Sequence, residues 1–373
     1  MIPFVHLHVH SYYSILDGQA SISRLVDKAI ADGMRGMALT DHGNMMGVKD
    51  FFNYVQKKKG GASKDFKKAE AQLKELQAKA LEAGTDSCSV VLDDGKTLAD
   101  ALAETEKAME KAKRVMDFKP IIGCEMYCAR RTKFDKTLKE DRSGWHLVVL
   151  AKNEIGYHNL VKLVSRAWVD GFYMKPRTDK ADLEQFKEGL IISSACLGGE
   201  IPRKLLTGDE EGAEEAVMWF KERFGEDYYL ELQRHEVKDP AQRANRETYP
   251  LQEKANEGLL RLAKKCGVKY ICTNDAHFVD EDNSEAHDLL ICLSTNHFVS
   301  DQSRMLYSKQ EWFKTQAEMN EIFHDLPEAL ATTQEIVDKI EEYSIDHGPI
   351  MPNFEIPEDF GTEESYREKY SEA

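Results

Sequence analysis

His6, His8 and His10 occupy every second position of "FVHLHVHS" (residues 4–11), interleaved with Val5, Leu7 and Val9. A strand has a side-chain period of two, so the imidazoles share one face and the aliphatics the other. A buried row of imidazoles makes a poor core, and an exposed row needs no reason to exist. A metal site accounts for the pattern better. Residues of the same chemistry recur at what read as strand ends: Asp17 in "SILDG", Asp41 and His42 in "LTDHGN", Glu125 in "GCEMY", His146 in "WHLVV", and Cys196 in "SSACLGG". Asp275 and His277, again two apart, stand in "TNDAHF". Imidazole, carboxylate and thiolate suit zinc, and the nitrogen and oxygen members also suit manganese or iron. Some nine such residues exceed what one zinc takes, which points to two or three bridged ions. Adjacent divalent ions suit phosphoester hydrolysis, one activating water while its neighbours neutralise phosphoryl and leaving oxygens.

Individual members have plainer readings. Asp17 can simply start a turn with Gly18, and Cys196 can be a buried free thiol. Asp41 is expected to orient His42 rather than to ligate. His6 has the right face but lies deep in the strand and is left out. His158, His287, His297, His324 and His347 stand alone and read as structural or exposed. No GxSxG elbow is present, so a serine triad is disfavoured.

The elements that must position these residues alternate. Apolar, β-branched runs near 4–10, 35–40, 120–127, 145–151, 190–194, 228–233 and 270–274 predict strands. Helical patterns fall near 22–32, 46–59, 157–169, 180–188, 208–223, 250–266 and 282–295, and Gly33, Gly189 and Gly267 sit where helices would stop. Seven such repeats suggest a parallel barrel or an open doubly wound sheet, with the polar residues gathered at one end. His146, near the beginning of its strand, fits that reading less well.

Two regions break the rhythm. Residues 60–118, rich in Ala, Lys and Glu, predict an inserted helical pair with Leu73, Leu76 and Leu81 against Leu98, Leu102 and Met109, and a turn over 88–98. After about residue 300 come helical stretches at 308–323 and 327–342 and a Pro-rich ending.

Hydrophobic content of 42% and charged content of 31% describe a globular chain. No run approaches eighteen apolar residues, and the start leads straight into the first strand, leaving no room for a secretory signal. Seven cysteines, an odd number, read as reduced thiols of a bacterial cytoplasm. The net charge of −16 argues against broad nucleic-acid binding but does not exclude a nuclease, because bound cations invert the local field. "DDGKTL" is no phosphate-binding loop, since Val90 stands where the leading glycine belongs. No nucleotide cofactor is expected.

The set "FVHLHVHSYYSILDG", "ALTDHGNMMG", "KPIIGCEMY", "GFYMKPRTD", "SSACLGGEIP" and "TNDAHF", in this order, resembles the PHP (polymerase and histidinol phosphatase) domain. Within it, the set is similar to the branch at the amino terminus of bacterial replicative DNA polymerase III alpha subunits. The resemblance covers residues 1–56 and about 119–300. It implies an α/β fold, a distorted seven-stranded β/α barrel of the PHP type, with an inserted helical protrusion and a helical C-terminal extension. It divides the chain into a PHP domain over 1–300, with 60–118 inserted, and a linker and truncated start of the polymerase core over 301–373. It also implies a metal cluster held by His8, His10, Asp17, His42, Glu125, His146, Cys196, Asp275 and His277, with two or three ions, Zn2+ or Mn2+ or else Fe2+.

The implied activity is metal-dependent 3′→5′ exonuclease, without polymerase activity in this segment. The implied parent is a DNA-directed DNA polymerase, a nucleotidyltransferase of the bacterial cytoplasm. Its partners would be a DNA primer terminus, the rest of the alpha chain, and a holoenzyme with its sliding clamp, with no membrane. Arg130, Arg131, Lys133, Lys136, Lys139 and Arg142 are candidate contacts to the DNA backbone. Two rivals remain: a structural metal-binding module without turnover, and a free-standing small-molecule phosphatase, which "YMKPRTD" and the helical tail disfavour.

Overall fold

The computed structural model describes residues 1–83, 90–92, 95–237, 243, 247–352 and 361–371. Its strands are β1 (Gly36–Leu39), β2 (Lys119–Ala129), β3 (Gly144–Ala151), β4 (Arg177–Thr178), β5 (Leu190–Ser193), β6 (Tyr228–Leu232) and β7 (Lys269–Cys272). They form one seven-stranded sheet in the order β1-β2-β3-β5-β6-β7, with β4 beside β2. β1, β5 and β6 are buried along their whole length, as expected of strands covered on both faces. Six strands fall where the apolar runs predict them. The two-residue β4 has no such run.

The segment Phe4–His10 behaves differently from expectation. It forms no ladder of its own, yet it joins the two edges of the sheet. The amides of Ala38 and Thr40 donate to the carbonyls of His6 and Val9 (2.8 Å each). On the other side His10 N donates to Ala276 O (2.8 Å) and Ala276 N to His8 O (3.2 Å). One extended segment, with Val5, Leu7 and Val9 buried, therefore closes the curled sheet into a distorted β/α barrel.

The purely parallel reading is corrected at β3. This strand runs antiparallel to both neighbours, pairing Tyr127 with His146 and Val148 with Ser193, while β1–β2, β5–β6 and β6–β7 are parallel. The connection over 130–143 carries only a short 3-10 turn, Lys139–Arg142. A parallel crossover needs a longer covering element, usually a helix. Reversal brings the beginning of β3 to the end of the barrel where the parallel strands finish. This is why His146, misplaced in the parallel reading, joins the others.

Helix Val48–Ala83 is a single 36-residue element, and it pairs with helix Leu98–Met116. Leu76, Leu98 and Ala101 form a small buried cluster flanked by Ala80, Val90, Leu92 and Leu102. Leu73 and Met109 are half-buried. Leu81 is 85% exposed, against expectation: five residues beyond Leu76 is about 140° around the helix, off the pairing face. Of the turn expected over 88–98, Val91 and Thr97 form an antiparallel bridge, and residues 88, 89, 93 and 94 lie outside the described residues.

The compact unit runs from Met1 to Tyr343, so the boundary expected at 300 falls inside it. Trp312 bridges Phe278, and Thr333 Oγ1 accepts from Val5 N (3.2 Å). The second unit, Ser344–Ala373, holds helix Glu363–Tyr370. Among the described residues no helix is long and apolar enough to cross a membrane.

Lys314 is an unusual part of this core, 2% exposed. Its ammonium bonds Gln310 O and lies 3.3 Å from the centre of the Trp312 ring. Burial pushes it down to about 7. Between that value and the unfolded value near 10.5, the unfolded chain binds the extra proton, so this group favours folding more as pH rises. Lys314→Met should therefore be stabilising near pH 7, and its advantage should shrink towards pH 10, by at most about 1.4 kcal/mol per pH unit. Urea unfolding of both proteins at pH 7, 8.5 and 10 checks this; a constant difference would refute it.

Candidate metal centre

All nine residues singled out for ligation meet at one end of the barrel. Glu125, 1% exposed in the middle of β2, is the hub. Its Oε1 lies 2.8 Å from His146 Nδ1 and 3.4 Å from His8 Nε2. Its Oε2 lies 2.6 Å from His42 Nδ1 and 3.4 Å from His10 Nε2. Asp275 Oδ1 approaches His8 Nε2 (3.3 Å), His10 Nε2 (3.2 Å) and His277 Nδ1 (3.6 Å). Asp17 Oδ2 faces His42 Nε2 (2.8 Å) and His277 Nε2 (3.7 Å). Cys196 Sγ borders the set, 3.6 Å from His146 Nδ1 and 3.7 Å from Glu125 Oε1. Among the described residues, three groups have ligand atoms close enough together to hold an ion: His8, His10 and Asp275; His10, His42 and His277; and His42, Glu125 and His146.

Outer partners fix which ring nitrogen faces inward. Ser14 Oγ donates to Asp41 Oδ1 (2.9 Å) and stands 3.0 Å from His10 Nδ1. Its only proton is thereby committed, so His10 Nδ1–H donates to Ser14 and Nε2 carries a lone pair into the cluster. His8 Nδ1 donates to Glu231 Oε1 (2.7 Å), and His277 Nδ1 to the carbonyl of Asp275 (2.7 Å). Such carboxylate and carbonyl partners are what orient metal-binding imidazoles. Asp41 acts differently from expectation. It reaches His10 and the backbone amide of His42 through Ser14, and not the His42 ring.

The arrangement leaves buried polar atoms without hydrogen-bond partners: His8 Nε2, His10 Nε2, His42 Nδ1, Glu125 Oε2 and Asp275 Oδ1. Burial, with the nearby His42 and His277, pulls His10 down to about 3, so its ring is neutral. A lone pair aimed at two carboxylate oxygens is repulsive unless a cation sits between them. The donor set therefore fits divalent ions. Elsewhere burial is outweighed by charge: Glu125 and Asp17 hold His42 up to about 10, and Asp275 and Asp17 hold His277 up to about 9. Despite burial, the surrounding imidazoles keep Glu125 and Asp275 well below the ordinary carboxylate range.

Other supporting residues escape sequence reasoning. Glu231, inside β6, accepts from His8, Thr273 (2.6 Å), Gln233 (3.1 Å) and Ser193 (2.5 Å). An acid within the apolar run "YYLEL" was the available signal. His287 donates from Nε2 to Asp17 O (2.9 Å). Tyr307 reaches Asp17 from beyond the expected boundary at 300, with nothing in the sequence to mark it. His6 stays apart, as expected, bonded to Lys314 O (2.8 Å) and packed on Phe313.

The basic loop is corrected in part. Lys133 is buried and paired with Asp182 (2.9 Å), so it is out of reach of DNA. Arg131 is held by Asp141 through Nε (3.1 Å) and Nη2 (2.5 Å). Arg130, Lys136, Lys139 and Arg142 remain exposed, with the Arg130 guanidinium 4.1 Å from the centre of the Trp145 ring.

Comparison with known proteins gives a consistent picture. The PHP domain family model matches residues 6–67 and 64–235. The DNA polymerase III subunit alpha of Borreliella burgdorferi is 39% identical over 370 residues, covering 98% of this chain and 26% of the relative. The subunits of the same name from Treponema pallidum and Campylobacter jejuni are 33% and 32% identical, covering 97% and 96% of this chain and 25% of each relative. The chain thus spans about a quarter of the length of the relatives it matches.

An incoming divalent ion needs free imidazole lone pairs, so it must displace the protons that His42 (about 10) and His277 (about 9) keep. Apparent affinity should rise from pH 6.5 to 9 as the competing proton becomes scarcer. Calorimetry of Zn2+ binding at pH 7.5, in buffers of different ionisation enthalpy, should register about two protons released per chain. Binding without proton release would rule these two imidazoles out as ligands.

Proposed function

The chain belongs to the PHP domain family, and from that premise we propose that it is the metal-dependent phosphoesterase module of a bacterial replicative DNA polymerase III alpha chain, hydrolysing DNA from the 3′ end. The observation that carries the reading is the neutral His10 ring, whose inward lone pair faces Glu125 and Asp275 at 3.4 and 3.2 Å. That contact calls for a cation, and three overlapping groups of ligand atoms offer room for more than one. The relatives named as polymerase alpha subunits support the DNA substrate.

In this reading His8, His10 and Asp275 hold one ion. His42, Glu125 and His146, with Cys196 at their border, hold another, and His277 and Asp17 complete the cluster. Cys196 favours Zn2+ by softness, whereas the nitrogen and oxygen majority suits Mn2+ or Fe2+. When bound, the ions supply an activated water and neutralise the phosphoryl and departing 3′ oxygens. The chain's own part is positional. Glu231, Ser14 and the Asp275 carbonyl accept from Nδ1 of His8, His10 and His277, which turns Nε2 of each ring towards the ion site. The parent polymerase would work in the bacterial cytoplasm on a primer terminus, within a holoenzyme that includes a sliding clamp. The segment beyond 343 would lead towards the polymerase core.

A second reading, a structural module in which the ions only stabilise the fold, gains support from the basic loop. With Lys133 and Arg131 bound internally, fewer cations remain to draw a phosphate backbone to the site.

The two readings separate on a 3′-tailed, 5′-labelled DNA strand. His10→Ala and Asp275→Ala should each slow stepwise 3′ shortening by about 1,000-fold or more, even at saturating DNA, because both disrupt the ion site. Replacing Arg130, Lys136, Lys139 and Arg142 together by Gln should instead weaken DNA use and flatten its salt dependence while sparing metal content. Equal shortening by wild type and both ligand variants would favour the structural module.

A further inference from the structure

We infer that Tyr307 is a positioning residue of the metal centre, holding Asp17 in the orientation that ligation requires; the inference rests on the proposed metal reading. Asp17 is the most weakly enclosed carboxylate of the cluster, its side chain 24% exposed against 12% for Asp275 and 1% for Glu125. It rides on a turn outside the barrel strands. There Asp17 N and Gly18 N share the Ser14 carbonyl (2.9 and 2.8 Å), and a side chain at Gly18 would meet Ser11 O at 2.1 Å. The backbone is thus well fixed, with His287 bonded to the Asp17 carbonyl. Among the described residues the carboxylate itself has one hydrogen-bonding neighbour that is not a candidate ligand, the Tyr307 hydroxyl, at 2.9 Å from Oδ1.

A carboxylate on a two-bond side chain turns freely about its last torsion unless one oxygen is tied. Tyr307 ties Oδ1, which leaves Oδ2 aimed at His42 Nε2 and His277 Nε2. The same hydroxyl lies 3.4 Å from His277 Nε2. Its single proton goes to Asp17, the nearer and charged acceptor, so the hydroxyl does not donate to His277 Nε2 and does not compete with an ion for that nitrogen.

The segment carrying Tyr307 is itself anchored. After a fork from Arg304 to both oxygens of Asp288 (2.6 Å each) come Met305 and Leu306, then Tyr307, whose ring meets His277 and His287 at centroid distances of 5.0 and 4.8 Å. Ser308 N then donates to Glu311 Oε1 (3.0 Å). None of these residues lies in the part matched by the family model, 6–235. Residues 299–311 are therefore a strap that finishes the site from outside that region.

The test is metal affinity of the whole chain, free of any activity assay. Metal-stripped wild type, Tyr307→Phe, Asp17→Asn and the double variant are titrated with Zn2+ and, separately, Mn2+, and thermal unfolding in chelator monitors the fold. Phe keeps the ring packing on His277 and His287, so a merely structural tyrosine predicts unchanged affinity. Acting through Asp17, Tyr307→Phe should weaken the most loosely held ion about 10- to 100-fold, with unfolding in chelator unaltered. The double variant should be no weaker than Asp17→Asn alone, because the ligating carboxylate that the hydroxyl orients is then already gone. Unchanged affinity in Tyr307→Phe, or losses that multiply in the double variant, would overturn the inference while leaving the metal reading intact. A wild type that binds neither ion would overturn both.

Discussion

A carboxylate buried in an apolar strand is the constraint from which the rest of this site follows. Glu125 stands between Cys124 and Met126 in β2, in surroundings where an ionised acid persists only with partners. It meets four imidazoles, and no two neighbouring elements supply them all. His8 and His10 come from the closing segment, His42 from beyond β1, and His146 from the start of β3. The barrel must therefore close, and β3 must reverse, for the charge to be met. Fold and site are in this respect one problem: an open parallel sheet from the same strands would leave Glu125 without His8, His10 and His146.

How much of this was legible in the sequence varies with the kind of signal. The positions of the strands were legible, because buried runs such as "GMAL" and "LIIS" are apolar throughout. That the ligand-type side chains would gather in one place was legible from alternation in "HLHVH" and from paired ligand types in "NDAH". Strand direction was not, since β3 has the same apolar composition as the strands that run parallel to one another. The only hint was residues 130–143, too charged and too lacking in helical period to cover a crossover. Glu231 offered the same signal as Glu125, an acid in an apolar run, and the two acids turn out to brace the cluster from opposite sides of His8. Tyr307 offered none, since a lone tyrosine after "SRML" is ordinary until the fold brings it to Asp17.

The closing segment also explains why the compact unit extends past residue 300. A single extended run with hydrogen bonds split between two edges gains less from pairing than a full ladder does. Here it is braced from behind. Phe4 N donates to Gln316 Oε1 (2.9 Å), Val5 N to Thr333 Oγ1 (3.2 Å), and His6 bonds Lys314 O. Residues 310–333 thus support the strand that presents His8 and His10, while 299–311 supply the hydroxyl on Asp17. The outer part of the helical pair contributes nothing comparable among the described residues: its cluster of Leu76, Leu98 and Ala101 is internal to the pair, whereas Phe51, Phe52 and Val55 at the start of the first helix are buried in the core.

Electrostatics limits how such a site can meet a polyanion. The chain carries a net charge of −16, and three carboxylates line the cluster itself. The loop that looked suited to phosphate spends two of its cations internally: Lys133 neutralises Asp182 in the interior, and Arg131 is forked onto Asp141. On the proposed reading, attraction of a phosphate to this end of the barrel would come mainly from ions held by the carboxylates and imidazoles, since a bound divalent cation is the largest local charge available. On that reading, phosphate binding would then depend on metal loading.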